Sequence, residues 1–294
     1  MPAVSTSEWL ALGSALLWAA NGIVIRTQSA KASPAAINAI RCGASAVVFW
    51  LILPFETPQY PLWSIPWQDA AWLAASVITN IVIGDTFYLA SLKELGVSRS
   101  LALSGTFPLT TLLFEYLLLG FAPDRTLALG ALLVVAGVAL LSQRSTQVDA
   151  AGGGRTGVGI AFALSASFVW GLGVVLLKPA LAHVTLVQAN ALRMPLVALL
   201  LLVFRILPAR EASIGRLDRR AFLIIAGSGL IGMGLGSWMF LAAVMDIGPA
   251  RTATLTSIYP VFGLILAVLF LRERLSLPMA AGVAACVAGV WVVV

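Results

Sequence analysis

The second half of this 294-residue chain answers the first at a fixed offset of 152 positions, with no gap. Trp18 matches Trp170, Asn38 matches Asn190, and Arg41 matches Arg193. The register holds through Gly84 and Gly236, Gly96 and Gly248, Arg99 and Arg251, Pro108 and Pro260, Gly130 and Gly282, and Gly137 and Gly289. Each half carries five long apolar segments, at about 9–27, 34–54, 70–92, 97–120 and 126–143, then 157–177, 186–207, 220–244, 250–271 and 277–294. Each is long enough to cross the ~30 Å hydrocarbon core of a bilayer as a helix. The odd count decides the topology. After five crossings the second repeat begins on the opposite side of the membrane, so the halves run antiparallel. The expected fold is an all-α integral membrane protein with ten transmembrane helices, built as two inverted five-helix repeats.

Composition agrees: 60% hydrophobic residues, 10% charged residues and a mean hydropathy of +1.00 exclude a soluble domain. Residues 1–143 form the first repeat, 144–156 a linker carrying Gly152, Gly153 and Gly154, and 157–294 the second repeat. The first apolar stretch is not expected to be a cleaved leader, because Glu8 precedes it, no Lys or Arg does, and Trp18 and Asn21 lie within it. Cys42 and Cys286 fall inside apolar segments and read as packed thiols.

The net charge of +6 does not imply nucleic acid, since the basic residues lie in membrane loops. On the side that would hold both termini, three occur: Arg125, Lys178 and Arg251. The opposite side carries 13, including Lys31, Arg99, Arg144, Arg219, Arg220, Arg272 and Arg274. The positive-inside rule makes that opposite side cytoplasmic and puts the termini outside.

The first half reads LLWAANGIVIR, INAIRCGA and IGDTFYLASLKELGVSRSLALSGTFPLTTLL, and the second SFVWGLGVVLLK, ANALRMP and FLAAVMDIGPARTATLTSIYPVFGLILAVLFLRERL. Over nearly the whole chain these resemble the ten-helix, EamA-type branch of the drug/metabolite transporter superfamily. The markers are the Trp in the first helix of each half, the Arg in the second, the Gly-x-x-Arg…Pro run through the fourth, and ERL after the ninth. The resemblance implies transport of small molecules. Two departures stand out. Phe121 occupies the position where the family repeats the Glu seen at Glu273, and the loop after the second helix lacks the family's arginines. The family also places its termini in the cytoplasm, against the charge count.

Several residues carry candidate chemistry. Arg41 and Arg193 lie inside helices, each three residues after an asparagine, Asn38 or Asn190, and so on the same helical face. An intramembrane arginine must face protein or water. Either the pair contacts an anion or carboxylate, or each arginine braces helices. Asp85 and Glu115 have Ser237 and Ala267 as repeat partners, so symmetry does not demand them. A buried carboxylate takes a proton, grips a cation or pairs with Arg41 or Arg99, which leaves proton coupling, substrate ammonium binding and a fixed ion pair open. Trp18, Asn21, Tyr88, Trp170, Trp238 and Tyr259 are candidates to line a central cavity, with plain packing as the alternative. Pro108 and Pro260 should kink their helices and serve as hinges.

No P-loop, GxSxG, HExxH or CxxC motif occurs, and His183 stands alone in a loop as a solvated residue, so neither metal nor cofactor is expected. Gly227, Gly229 and Gly232 spell GxGxxG inside a helix, where a nucleotide reading fails, while Gly232 and Gly236 suit close helix packing. The expectation is a secondary-active transporter and not an enzyme. It would be an exporter of small polar metabolites such as amino acids, working by alternating access in the inner (plasma) membrane, as a monomer or homodimer. A passive channel or an intramembrane enzyme are the rivals, but neither a ring of repeated polar groups nor a nucleophile–base set is visible.

Overall fold

The computed structural model describes residues 4–28, 31–95, 97–142, 156–206, 217–271 and 276–294. The proposed linker 144–156, except Thr156, lies outside them, as do Gly96, Arg144, Arg272, Glu273 and Arg274. Over the described residues every apolar segment is largely helical, as hydrocarbon demands of a backbone that must satisfy its own hydrogen bonds, and no strand occurs among them. The α-helices are α1 (Thr6–Gln28), α2 (Pro34–Ile52), α3 (Trp67–Val77), α4 (Asp85–Leu95), α5 (Val97–Ser104), α6 (Phe107–Leu119), α7 (Arg125–Ser142), α8 (Thr156–Val175), α9 (Leu177–Ala180), α10 (Leu186–Leu201), α11 (Arg219–Gly229), α12 (Ser237–Ile247), α13 (Pro249–Thr256), α14 (Tyr259–Leu271) and α15 (Leu277–Val293). Among the described residues, seven spans are long and apolar enough to cross a membrane by length and composition.

Even the irregularities repeat. The α3–α4 rod contains a π-helical stretch at Ile78–Gly84, and the α11–α12 rod contains one at Leu230–Gly236, the same positions shifted by the repeat offset. Pro108 and Pro260 do not kink continuous helices; they begin new ones. A proline ring collides with the carbonyl four residues back. Four residues before Pro108 is Ser104, where α5 ends, and four before Pro260 is Thr256, where α13 ends. The chain turns and restarts as α6 and α14, each with its proline in second place. Elsewhere, starts are set by caps. Ser33 accepts from the Ala36 N–H at 3.1 Å, Asp218 accepts from Ala221, and Thr185 and Gln188 form a reciprocal capping box.

Packing between the halves is reciprocal. The α7 and α15 backbones approach so closely that a Cβ on Gly137 would lie 2.7 Å from the Gly282 carbonyl, and one on Gly289 would lie 2.7 Å from the Gly130 carbonyl. Small residues permit this where lipid supplies no hydrophobic drive for association. Likewise α2 packs on α10 through Cys42, Ala46, Val187, Ala191, Met194 and Val197. The outward faces show Leu113, Leu117, Leu129, Leu132, Leu164, Phe168 and Leu235, and Trp9, Trp63, Trp67 and Trp291 are exposed toward the helix ends, as befits surfaces that meet lipid and its interfaces.

Candidate functional site

Between the halves lies a cavity of about 350 Å³. Six pairs of its lining residues are repeat equivalents: Trp18 and Trp170, Gly22 and Val174, Arg41 and Arg193, Ile81 and Met233, Asp85 and Ser237, and Phe107 and Tyr259. The two tryptophans are held by one device used twice. Trp18 Nε1 donates to the Gly232 carbonyl at 2.9 Å, and Trp170 Nε1 donates to the Asn80 carbonyl at 3.0 Å, so each indole is anchored to the π-helical stretch of the other half. A π turn leaves carbonyls poorly matched within the helix, and an indole N–H is a suitable partner for one.

The symmetry breaks at the charged groups. Trp170 Nε1 also lies 3.1 Å from Asp85 Oδ1, so the carboxylate accepts from the indole. No basic side chain among the described residues is within ion-pairing distance of Asp85, although Arg41 is within its electrostatic reach. The fixed ion pair with Arg41 or Arg99 is thus not formed. Arg41 Nη1 donates to Asn38 Oδ1 at 3.0 Å. In the second half Ser237, standing where Asp85 stands in the first, donates to Asn190 Oδ1 at 2.9 Å. Arg193 has no bond to Asn190 that would match the one between Arg41 and Asn38.

Of the residues singled out from sequence, Trp18, Arg41, Asp85, Trp170, Arg193 and Tyr259 line this cavity. The others sit elsewhere. Asn21 is buried, and its Nδ2 donates to the Ser228 carbonyl at 2.6 Å. Asn38 and Asn190 serve as side-chain acceptors behind the wall. Tyr88 packs against Trp170 with ring centroids 5.3 Å apart, and Trp238 packs on the α2–α10 core. Glu115 belongs to a separate pocket with Lys178, Asp246 and Arg251, where its Oε2 accepts from the Ala250 N–H at 2.8 Å at the start of α13. A carboxylate at a helix N-terminus is favourably placed by the helix dipole. Pro108 and Pro260 sit at helix starts, outside the lining. His183 is not simply solvated: its Nδ1 lies 3.2 Å from an oxygen of the buried Asp69. The sequence reading missed Asn80, Phe107, Met194, Met233, Ser237, Phe240 and Thr256 on the wall. The repeat offset could have found Phe107 and Ser237, the partners of Tyr259 and Asp85.

At the end of the bundle that holds both termini, polar contacts tie the segments together. Ser7 Oγ donates to Asp246 at 2.5 Å, Glu8 pairs with Arg251 at 3.6 Å, and Arg251 donates to the Val293 carbonyl. Gln188 Nε2 donates to the Tyr60 carbonyl at 2.6 Å, and Thr185 donates to Glu56. At the other end, Lys31 and Asp218 pair at 3.2 Å across exposed surface.

A multi-pass helical membrane protein enclosing a polar-edged cavity is the class that this fold defines. The sequence model of the EamA-like transporter family matches residues 5–143 and again 157–294, and the chain belongs to that family. It is also 29% identical over 276 residues to a protein of Archaeoglobus fulgidus called an uncharacterized transporter, a match covering 93% of this chain and 92% of that one. A protein of known crystal structure shares the fold, with a TM-score of 0.78 at 20% identity over 99% of this chain and 96% of that one.

Proposed function

We propose that the chain is a secondary-active exporter of small polar metabolites, working in the plasma membrane by alternating access through the central cavity. In this reading all ten apolar segments cross the bilayer as two inverted five-helix repeats, and the side bearing Lys31 and Asp218 faces the cytoplasm. The observation that carries the reading is the pairwise lining of the cavity. A binding site built from equivalent residues of two antiparallel halves can be presented to either side by the same motion run in opposite senses. The reciprocal anchoring of Trp18 and Trp170 and the matched helix breaks support it. The polar ties at the terminal end fit a state closed on that side. Proposed site residues are Trp18, Arg41, Asp85, Trp170, Arg193 and Tyr259, with the turns before Pro108 and Pro260 as joints. Counterflow of radiolabelled metabolites into proteoliposomes tests the proposal. Trans-stimulated uptake of a metabolite is expected; leak without trans-stimulation would mark a passive channel and overturn it.

A further inference from the structure

The two cavity arginines occupy equivalent positions but do not have equivalent surroundings. Both are buried, Arg41 at 6% and Arg193 at 5% exposure. Arg41 has Asn38 as an acceptor and leaves Nε unpartnered. Arg193 leaves both Nε and Nη1 without a hydrogen-bond partner, although the equivalent asparagine, Asn190, lies one turn away in its own helix. Among the described residues Arg193 also has no ion pair. A guanidinium does not shed its proton, and a buried one without an acceptor forfeits its hydration with nothing in return. Such a group, facing a cavity, fits a site completed by a ligand anion.

We propose that Arg193 is the seat of a carboxylate carried by the substrate, and that the cavity takes monocarboxylates with an apolar or aromatic body. The inference rests on reading the cavity as the substrate site. A carboxylate is the natural acceptor for such a guanidinium, which always carries its charge and makes strong charge-assisted hydrogen bonds. Charge counting selects a single negative charge. The lining holds Arg41, Arg193 and Asp85, so one added carboxylate brings these groups to neutrality, whereas a doubly charged phosphate would overshoot. Among the described residues Asp85 forms no ion pair with Arg193, so the cavity's own anion leaves that guanidinium without a direct partner. The body of the substrate meets Phe107, Met194, Met233 and Phe240, surfaces that accept rings and alkyl chains of varied shape.

The test uses the full-length protein in lipid nanodiscs, with binding read by quenching of tryptophan fluorescence and by thermal stabilisation. Three probes share one body: 3-phenylpropanoate, phenylalanine and phenethylamine. At millimolar concentration the acid should bind most tightly, the zwitterionic amino acid, which adds no net charge, more weakly, and the amine not at all. Arg193→Gln should weaken the carboxylate probes roughly ten- to hundredfold, with Arg193→Lys in between. If Arg193→Gln misfolds, Arg193→Lys decides the seat and the wild-type series decides the ligand class; carboxylate binding unchanged in a folded Arg193 variant overturns the inference. Equal or preferential binding of the amine, or no binding of either carboxylate, overturns the inference. Carboxylate binding without counterflow would leave it standing while refuting the transporter reading; counterflow of an uncharged metabolite by a protein that binds no carboxylate would do the reverse.

Discussion

A matched pair of glycine substitutions separates the two halves of the cavity. A Cβ built on Gly84 would lie 2.6 Å from Trp170 Nε1, with Cδ1 nearer still; one on Gly236 would lie 3.0 Å from Trp18 Nε1 and 3.3 Å from its Cδ1. The positions are repeat equivalents, so backbone and helix propensity are nearly controlled. Replacing a helical glycine with alanine returns up to ~1 kcal/mol. At Gly236 the Trp18 indole need yield only a few tenths of an ångström, and that gain nearly offsets the crowding. At Gly84 the indole must move bodily, at an overpacking cost of ~1–3 kcal/mol. It also leaves Asp85 and the Asn80 carbonyl, and a lost hydrogen bond to a charged group adds ~1.5–3 kcal/mol. The expected net loss is therefore about 2–4 kcal/mol for Gly84→Ala against roughly nothing for Gly236→Ala. Melting curves of the two purified variants in one detergent, followed by fluorescence, measure the ranking. If Gly236→Ala melts as early as Gly84→Ala, the indole contacts are not what distinguishes the two sites and the reasoning fails.

Asp85→Asn, which keeps the side-chain shape, should abolish concentrative uptake while the protein stays folded; retained counterflow would assign coupling, lost counterflow substrate binding, and normal transport with earlier melting would reduce Asp85 to a structural role. A cysteine replacing Ser213, outside the described residues, should resist an impermeant thiol reagent in intact cells and react after lysis, against the low background of the buried Cys42 and Cys286; labelling of intact cells would reverse the proposed orientation. The N–H of Ala221, and next the Lys31 ammonium, hold the Asp218 carboxyl below its usual range. A depressed carboxyl stabilises the fold above its unfolded pKa and loses that contribution as pH falls through its folded one. Asp218→Ala should therefore melt earlier than wild type at neutral pH, and the gap should close in strong acid; a gap independent of pH would show that the charge contributes nothing.

Helix positions were legible because hydrocarbon leaves the backbone little choice: apolar stretches read as 126–143 and 186–207 became helix over Arg125–Ser142 and Leu186–Ile206. What failed was local. A proline inside an apolar run predicts a kink, but at Pro108 the helix stops at the residue whose carbonyl the ring would strike and starts again, with Gly105 and Thr106 between. The π stretches leave no compositional trace, since Ile78–Gly84 and Leu230–Gly236 share only their apolar character and final glycine. The repeat offset identified paired residues without saying which face each turned to the cavity. Hence Arg193 and Trp170 reached the wall, while Asn190 and Trp238 lie behind it. Glu115 misled for a different reason, because depth along a helix says nothing about azimuth.

The reciprocal contacts bear on how such a molecule can change over generations. In a single repeat pairing with its own copy, the indole-to-carbonyl anchor would exist twice but be encoded once, and any substitution in the wall would appear on both sides. Carried on one chain, Trp18 on Gly232 and Trp170 on Asn80 are separate loci. A carboxylate can then arise at Asp85 while a hydroxyl remains at Ser237, and one arginine can keep its neighbour while the other is left open. The scaffold stays doubled while each wall residue is free to drift alone, so a change in the cavity needs one mutation in one half and leaves the architecture of the other untouched.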